Sequence, residues 1–398
     1  METLLLAYSR RLEETSCDFI RYLYKSVDWN ERLIGIKGAR GTGKTTMLLQ
    51  HIKLDFPDKS KAFYVSLDNI WFADHTLLEL TEYLYTHGVT HLFFDEVHRY
   101  PRWIQEIKNI YDSYPGLNVV FTGSSLLKIE GGIADLSRRA RIYTLQGLSF
   151  REYLSINNVF NISSITLSEI ISHHTDIASD ISRHIKVIPL FEKYINFGYY
   201  PFFIETSSND SYLERLQNVV STVIDEDIPS VERIEYATLL KIKRLLMILA
   251  RSVPFTPNIT SLGTTLGCNR NQILVLFNIL ERAGLLRQLQ SEKKNLKSLA
   301  KPDKILFNNS NIMFALNRNA DIGTQRESFF SSMICINHTI SYPSKGDIFV
   351  DQKYLFEIGG SNKHFNQIKD VPNSYIAIDN IEIGNFNRIP LWMFGLLY

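Results

Sequence analysis

The stretch of sequence that decides the fold is a glycine-rich run, Gly38-Ala39-Arg40-Gly41-Thr42-Gly43-Lys44-Thr45. It fits the G-x-x-x-x-G-K-[ST] pattern, in which glycines let consecutive backbone N–H groups point at phosphate oxygens. The apolar residues 33–36 before it are typical of a buried strand, and residues 45–52 after it are typical of a helix. The loop therefore precedes a helix N-terminus, whose partial positive charge favours a bound phosphate.

This loop predicts a site for ATP and Mg²⁺. We expect Lys44 to reach the β- and γ-phosphates and the Thr45 hydroxyl to ligate the metal. The other residues predicted to bind the nucleotide line the loop and the first helical turn: Gly38, Ala39, Arg40, Gly41, Thr42, Gly43 and Thr46.

Length and composition narrow the class of protein. A chain of 398 residues predicts two or three domains. Its 43 Lys and Arg nearly balance 42 Asp and Glu, which gives no support for general nucleic-acid affinity but leaves a local basic patch open. The three cysteines are far apart in the sequence, and we therefore expect free thiols in a reducing compartment. With no apolar run long enough to span a bilayer, we expect a cytoplasmic protein with no membrane partner.

Strand and helix patterns alternate after the loop. Apolar strands are predicted at 62–67, 90–96 and 118–123, and helices at 77–85 and 104–111. This alternation predicts a parallel sheet covered on both faces, with its ligands at the carboxyl ends of the strands. Polar residues lie at or just after the ends of two of these strands, and we therefore expect them to converge with the loop. They are Asp95, Glu96, Thr122, Ser124 and Ser125.

Each of these polar residues has a predicted role. Asp95 is expected to hold Mg²⁺ beside Thr45, and Glu96 is expected to be the general base that polarises water. Thr122, Ser124 and Ser125 can contact the γ-phosphate or the water, and Thr122 or Ser124 is expected to sense the γ-phosphate. An arginine in the segment 138–141 can stabilise transferred charge in its own subunit or a neighbour's, or can simply pair with a surface carboxylate.

Several segments resemble AAA+-type ATPases: the glycine-rich loop, Phe93-Phe94-Asp95-Glu96, residues 121–125 and residues 148–154. Along nearly its whole length the chain is similar to predicted bacterial and archaeal ATPases that carry a C-terminal restriction-nuclease-like domain. The resemblance implies ATP hydrolysis and points to Arg139 as the arginine that acts on the phosphoryl group. The family often has Gly-Arg where this chain has Arg138-Arg139, so the choice between these two arginines stays open.

Pattern and resemblance together predict five segments. They are N-terminal helices at 1–30, a P-loop ATPase core at 31–155, a helical lid at 156–250, a winged helix at 251–295 and a nuclease-like domain at 296–398. Arg10, Arg11 and Arg21 in the first segment are expected to be solvated. In the winged helix, residues 270–272 can contact DNA, although such modules also serve only as protein contacts.

The last segment resembles restriction-type nucleases but departs from them at a decisive position. Glu327 on a predicted helix, with Asp347 and Glu357 on predicted strands, forms a tentative second metal site. Gly359 stands where the catalytic lysine belongs, and Lys363 can reach in from the following turn. This departure favours a degenerate or binding-only domain over an active nuclease.

We therefore expect an α/β fold, with a three-layer P-loop parallel sheet of AAA+ type, a helical lid, a winged helix and a C-terminal nuclease-like domain. The predicted function is Mg²⁺-dependent ATP hydrolysis coupled to a C-terminal module that binds DNA or protein, in a chain that can form a homo-oligomer. Two alternatives stay open. One is a slow nucleotide-gated switch that binds a protein partner, and the other is an ATP-gated nuclease.

Overall fold

A computed structural model describes residues 1–123, 136, 138–229, 234–252, 256–291, 301–363 and 365–398. The chain divides into two compact units, Met1–Gly147 and Leu148–Tyr398, here called the N-terminal unit and the C-terminal unit. The unit boundary precedes the predicted end of the ATPase core at residue 155. The finer division of residues 156–398 into three domains stays a prediction.

A five-stranded sheet forms the centre of the N-terminal unit. Its strands are β1 (Leu33–Lys37), β2 (Ala62–Ser66), β3 (His91–Asp95), β4 (Asn118–Gly123) and β5 (Arg141–Thr144). Their order is β2-β3-β4-β1-β5, and every neighbouring pair is parallel. The central strands are buried nearly throughout, as expected for a parallel sheet that has no solvent face. The predicted parallel sheet is confirmed.

The helices of this unit are α1 (Glu2–Glu14), α2 (Lys44–Asp55), α3 (Leu77–Thr86) and α4 (Trp103–Ser113). The last two coincide with the predicted helices. Helix α3 begins with a capping box, because Thr76 accepts from the Glu79 backbone and Glu79 accepts from the Thr76 backbone. Leu77, Leu80 and Leu84 then repeat at helical spacing and are all buried.

The prediction of a helix pair at residues 1–30 is wrong for its second member. Between α1 and β1 the chain forms a short 3-10 helix, Tyr22–Lys25, instead of a second α-helix. The Gln50 side-chain amide donates to the backbone carbonyls of Ser16 at 2.8 Å and Phe19 at 2.9 Å. These carbonyls thus find their hydrogen bonds in a tertiary contact with α2, and the segment needs no helix of its own to satisfy them.

The first part of the C-terminal unit is helical. Its helices are α5 (Phe150–Ile156), α6 (Leu167–His184), α7 (Val187–Phe197), α8 (Asn209–Thr222) and α9 (Tyr236–Ala250). Capping boxes at Ser149 and Thr166 start α5 and α6. A π-helical turn, Val223–Asp227, continues α8.

A helix pair and a hairpin follow. They are α10 (Ile259–Leu266), α11 (Arg270–Arg282) and the antiparallel strands β6 (Leu286–Leu289) and β7 (Lys304–Phe307). Gly267 ends α10 with a φ of 60°, a left-handed conformation that suits glycine. The order of helix, helix and strand agrees with the predicted order, and the identification as a winged helix stays a prediction.

The chain ends in a second, mixed sheet. After α12 (Ser310–Leu316) and α13 (Ile322–Ile334) come β8 (Ile340–Ser341), β9 (Ile348–Val350), β10 (Tyr354–Gly359), β11 (Ser374–Ile378) and β12 (Arg388–Pro390). Strands β10, β11 and β12 are parallel to one another, whereas β8, β9 and β10 pair antiparallel. The nuclease-like identity of this sheet stays a prediction.

A buried amide joins α12 to three neighbouring segments. The Asn311 amide oxygen accepts from the Tyr199 backbone N–H at 2.9 Å and the Tyr212 hydroxyl at 2.6 Å. Its amide nitrogen donates to the backbone carbonyl of Ile195 at 2.9 Å. Because Asn311 is fully buried, removing this amide leaves several polar groups without a partner or water.

Asn311→Ala is therefore expected to lower the free energy of unfolding by about 3 kcal/mol, since each buried unsatisfied group costs about 1–3 kcal/mol. Chemical denaturation followed by circular dichroism measures this change. The control is Asn308→Ala, which removes a half-buried amide whose oxygen accepts from Arg287. Equal losses from the two variants would show that Asn311 has no special structural role.

Candidate functional site: a phosphate-binding loop and its carboxylate edge

The glycine-rich loop joins β1 to α2, and two of its glycines are required by geometry. A Cβ on Gly38 would lie 2.2 Å from the Leu145 carbonyl oxygen, so no larger residue fits there. Gly43 precedes α2 with a φ of 92°, which L-residues with a side chain rarely adopt. The loop therefore holds its curled shape immediately before the positive end of a helix.

Lys44, the first residue of α2, is buried and turns back over the loop. Its Nζ donates to the carbonyl oxygens of Gly38 and Ala39, both at 2.9 Å. The Thr42 hydroxyl also donates to the Ala39 carbonyl, at 2.9 Å. A buried ammonium group at a helix N-terminus is well placed to bind an anion. Among the other predicted nucleotide-binding residues, Arg40 and Gly41 are half-buried and Thr46 is exposed.

Asp95, the last residue of β3, is buried beside the loop. Its Oδ2 accepts from the Thr45 hydroxyl at 2.5 Å and from the Tyr64 hydroxyl at 2.9 Å. Its Oδ1 accepts from the Thr122 hydroxyl and from the Glu96 backbone N–H at 3.1 Å. The structure thus brings together Thr45, Asp95 and Thr122, which were all predicted to meet at this edge of the sheet.

Strand order explains why Thr122 lies in this group. Strand β4 lies between β1, which leads into the loop, and β3, which ends at Asp95. In the parallel register Lys37 pairs with Gly123, so the residue just before Gly123 reaches the level of the loop. Ser124 and Ser125, also predicted here, lie outside the described residues.

The surroundings of Asp95 suit a hard cation. Burial is the largest cause that raises its pKa, the charge of Glu96 raises the pKa further, and the three hydroxyl groups lower it. Within the described part of the chain, no basic group is among the causes of this shift. A buried carboxylate beside a threonine hydroxyl, with no cationic partner of its own, is a donor set that Mg²⁺ accepts.

Glu96 lies in a turn and has a partner that Asp95 does not share. Its backbone has a φ of 52°, in the left-handed region, which reverses the chain directly after β3. Its Oε2 lies 3.3 Å from the His98 Nε2, and its side chain is 19% exposed. The two adjacent carboxylates therefore occupy different positions, one buried under hydroxyl groups and one partly open to solvent.

Sequence reasoning missed the arginines that support this edge. Arg11 was expected to be solvated, but its Nη1 donates to the Tyr64 hydroxyl at 2.8 Å. Arg21 was also expected to be solvated, yet it is buried. Arg21 donates to the carbonyl oxygens of Thr42 in the loop, Gln146 at 2.7 Å and Gly147 at 2.9 Å. The solvated interpretation is wrong for Arg21, because a helical pattern alone does not reveal acceptors distant in sequence. Arg11 is exposed, as expected, and only its contact with Tyr64 was missed.

The structure places Arg139 away from the phosphate-binding loop. It precedes β5, which is parallel to β1, so it lies near the edge where the strands begin. Its guanidinium forms two hydrogen bonds with Asp112, at 3.0 and 3.1 Å. Strands β1 and β5 run from this edge toward the loop and span roughly 15 Å. That distance separates Arg139 from the loop of its own subunit. The structure thus shows the surface carboxylate partner that was the alternative for this arginine, and a role for Arg139 in either its own or a neighbour's site stays a prediction.

A second cluster of charges lies in the C-terminal unit. Lys304 of β7 is buried, and its Nζ lies 2.8 Å from Glu327 Oε2 and 3.5 Å from Asp347 Oδ1. Burial raises the pKa of Glu327 to about 7, while the charge of Lys304 acts in the opposite direction. No sequence pattern pointed to Lys304, because β7 is distant from the two carboxylates along the chain.

Glu357 lies apart from these carboxylates. Phe356 packs against Phe330 of α13, with ring centroids 5.0 Å apart, so the alternate residue Glu357 faces the other side of β10. There Lys363 Nζ lies 3.0 Å from Glu357 Oε1, and the Lys363 side chain covers Gly359. The predicted approach of Lys363 is therefore present in the structure.

The tentative second metal site does not form. Over the described ranges, no group of three or more Asp, Glu, His or Cys side chains is close enough to hold a metal ion. Glu327 and Asp347 share the ammonium group of Lys304, and Glu357 pairs separately with Lys363. Strand alternation separates the carboxylates that the sequence pattern placed together.

Comparisons with known proteins agree with the N-terminal site. Residues 30–154 match a family described as an AAA domain, and residues 188–323 match a family described as a domain of unknown function. The uncharacterized protein MJ1637 of Methanocaldococcus jannaschii is 27% identical over 318 residues, which are 76% of this chain and 67% of that protein. The domain match, the parallel sheet and the loop support a nucleotide-binding P-loop ATPase. Neither family match shows a nuclease-like domain.

Two solved structures match the chain weakly. AMPPCP-bound DnaA from Aquifex aeolicus is 16% identical with a TM-score of 0.29, covering 71% of this chain and 88% of that one. The Aeropyrum pernix ORC1 protein in complex with DNA is 12% identical with a TM-score of 0.31, covering 78% and 91%. TM-scores this low do not establish a shared overall arrangement.

Within the described ranges, no helix combines the length and the apolar character needed to cross a bilayer.

Arg21→Met is expected to lower the free energy of unfolding by about 3 kcal/mol, because it strips several carbonyl oxygens of a charged, buried donor. Arg21→Lys should lose less, since an ammonium group retains part of the hydrogen bonding. Thermal or chemical unfolding measures both changes. The exposed Arg10→Met is the control, with an expected change within about 0.5 kcal/mol. An Arg21→Met variant as stable as this control would contradict the assignment.

Lys304→Met is expected to destabilise the chain by about 3–5 kcal/mol, because it leaves Glu327 buried without its partner. The double variant Lys304→Met, Glu327→Leu should recover most of that loss, since it removes both charges and keeps the volume apolar. Chemical denaturation of the two variants measures the difference. Equal stability of the single and double variants would mean that the ion pair is not energetically coupled.

Proposed function

We propose that this chain binds ATP with Mg²⁺ and hydrolyses it at the edge formed by the loop and Asp95. The observation that carries this proposal is the 2.5 Å contact between the Thr45 hydroxyl and Asp95, directly behind the curled loop and beside Glu96. These are the parts that phosphoryl transfer to water needs: a phosphate cradle, oxygen ligands for a cation and a separate carboxylate.

The roles follow from position. Lys44 binds phosphate oxygens with its buried ammonium group, and Thr45 and Asp95 hold Mg²⁺. When bound, that ion neutralises the charge that develops on the phosphate oxygens. Glu96, the more exposed carboxylate, accepts a proton from the attacking water. Thr122 orients the γ-phosphate or the water, a role that Ser124 can share.

Charge stabilisation from a second subunit completes this proposal. Because Arg139 lies near the opposite edge of its own sheet, we place its role at the site of a neighbouring copy, in a homo-oligomer. At the surface its ion pair with Asp112 is worth little, about 0–1 kcal/mol, so exchange for a phosphate partner costs little stability. Arg138 beside it is exposed and is the alternative donor.

Hydrolysis is further proposed to act on a partner held by the C-terminal unit. The start of α11 is exposed at Arg270 and Asn271, the side chains that would contact duplex DNA. Gln272 is already engaged, because its amide oxygen accepts from the Asn269 backbone at 2.9 Å as part of a capping box. Gln272 is also exposed and can contact DNA only through its amide N–H groups, and a protein partner is the alternative.

The test compares ATP hydrolysis by wild type, Lys44→Ala and Glu96→Gln, with and without duplex DNA. Lys44→Ala should lose both nucleotide binding and turnover, because the phosphate loses its buried cation. Glu96→Gln should keep binding but lose at least about 100-fold in kcat, as expected for removal of a general base. Phosphate release gives turnover, and the thermal shift with a non-hydrolysable ATP analogue gives binding.

Lys108→Ala, on the exposed side of α4, is the matched control and should behave as wild type. Stimulation of wild type by DNA would support a nucleic-acid partner. A Glu96→Gln variant as active as wild type would overturn the catalytic assignment. Absence of any nucleotide-dependent thermal shift in wild type would overturn the proposed function as a whole.

A further inference from the structure

Helix α1 reaches the candidate metal carboxylate through two side chains. Arg11, near the end of this helix, donates from Nη1 to the Tyr64 hydroxyl at 2.8 Å. Tyr64 lies on β2 and donates in turn to Asp95 Oδ2 at 2.9 Å. Arg11 precedes the segment that matches the AAA-domain family, so the match says nothing about this contact.

The chemistry of the groups sets the direction of these two linked hydrogen bonds. A guanidinium group can only donate hydrogen bonds, and a tyrosine hydroxyl has a single proton to give. When Arg11 donates to the Tyr64 oxygen, the Tyr64 proton is left to point at Asp95. The Asp95 carboxylate can only accept, so Tyr64 donates to it, and the charged donor Arg11 on the Tyr64 oxygen strengthens that donation.

Tyr64 also differs from the other hydroxyl group on the same carboxylate oxygen. Thr45 shares Oδ2 with Tyr64, but Thr45 is itself a proposed ligand of Mg²⁺. Tyr64 is buried in the sheet and has no place among the proposed ligands. Its contact with Asp95 can only orient the carboxylate.

Other contacts hold α1 in place. The Tyr8 hydroxyl donates to the Ala62 carbonyl at 3.2 Å, and the Tyr8 ring lies 5.3 Å from the Phe63 ring. At the end of the helix, Lys53 of α2 donates to the carbonyls of Glu13 at 3.1 Å and Thr15 at 2.8 Å. Helix α1 is thus fixed to both β2 and α2, and the position of Arg11 is fixed with it.

We propose that Tyr64 is a positioning residue for the metal-binding carboxylate of Asp95, and that Arg11 strengthens the hydrogen bond from Tyr64 to this carboxylate. Helix α1 is then a part of the nucleotide site. This inference rests on the proposed function, because it assigns Asp95 to Mg²⁺.

The experiment measures the Mg²⁺ concentration at the midpoint of the thermal upshift, at a fixed, saturating concentration of a non-hydrolysable ATP analogue. Tyr64→Phe removes only the hydroxyl and should raise this midpoint about 3–10-fold. The Mg²⁺ dependence of hydrolysis should shift by the same factor, while the KM for ATP at saturating Mg²⁺ should stay unchanged. A loss of stability alone would not produce this split.

Tyr8→Phe is the matched control, since it removes a hydroxyl from the same interface without touching Asp95. It should leave the Mg²⁺ midpoint unchanged. Arg11→Met should raise the midpoint about 2–4-fold, and adding it to Tyr64→Phe should add nothing, because Arg11 acts through Tyr64.

A Tyr64→Phe midpoint equal to that of Tyr8→Phe would overturn the inference, and so would full additivity of the Arg11 and Tyr64 variants. These outcomes differ from failure of the proposed function. In that case the wild type itself would show no Mg²⁺-dependent nucleotide binding, and the inference would fall with it.

Discussion

The carboxylate of Asp95 is buried and accepts hydrogen bonds from hydroxyl groups on three different elements: Thr45 on α2, Tyr64 on β2 and Thr122 on β4. A buried carboxylate is costly unless donors or a cation compensate it, so these elements must meet at one point. The parallel register of the sheet satisfies that condition, because it brings the ends of β1, β3 and β4 to the same edge. The curled loop and the turn at Glu96 are built around this point.

The two charge clusters of the chain solve the problem of burial differently. Asp95 is surrounded by hydroxyl groups and a second carboxylate, and no basic group of the described residues is among the causes that shift its pKa. In the C-terminal unit, Lys304 and Lys363 supply positive charge from the chain itself, opposite Glu327 and Glu357. The first arrangement favours an external cation, whereas the second already holds its cations as side chains. Because of this contrast, we propose ATP hydrolysis for the site in the N-terminal unit.

Much of the N-terminal site followed from local pattern. The loop, the strand ending at Asp95 and the strand containing Thr122 were predicted because each depends on residues adjacent in sequence. The errors have a common cause. The burial of Arg21 and the separation of Glu357 from Glu327 both depend on partners distant along the chain, and a helical or strand period does not identify such partners.

The sequence by itself determined the phosphate-binding loop, the alternation of strand and helix and the residues at the strand ends, since backbone curvature and burial periodicity are local properties. Only the tertiary structure decided that β4 separates β1 from β3, that Arg139 lies near the opposite edge from the loop and that α1 contacts Asp95 through Tyr64. These features depend on strand order and on which side chains meet after folding. Such long-range choices are made by packing and by the need to pair every buried polar group.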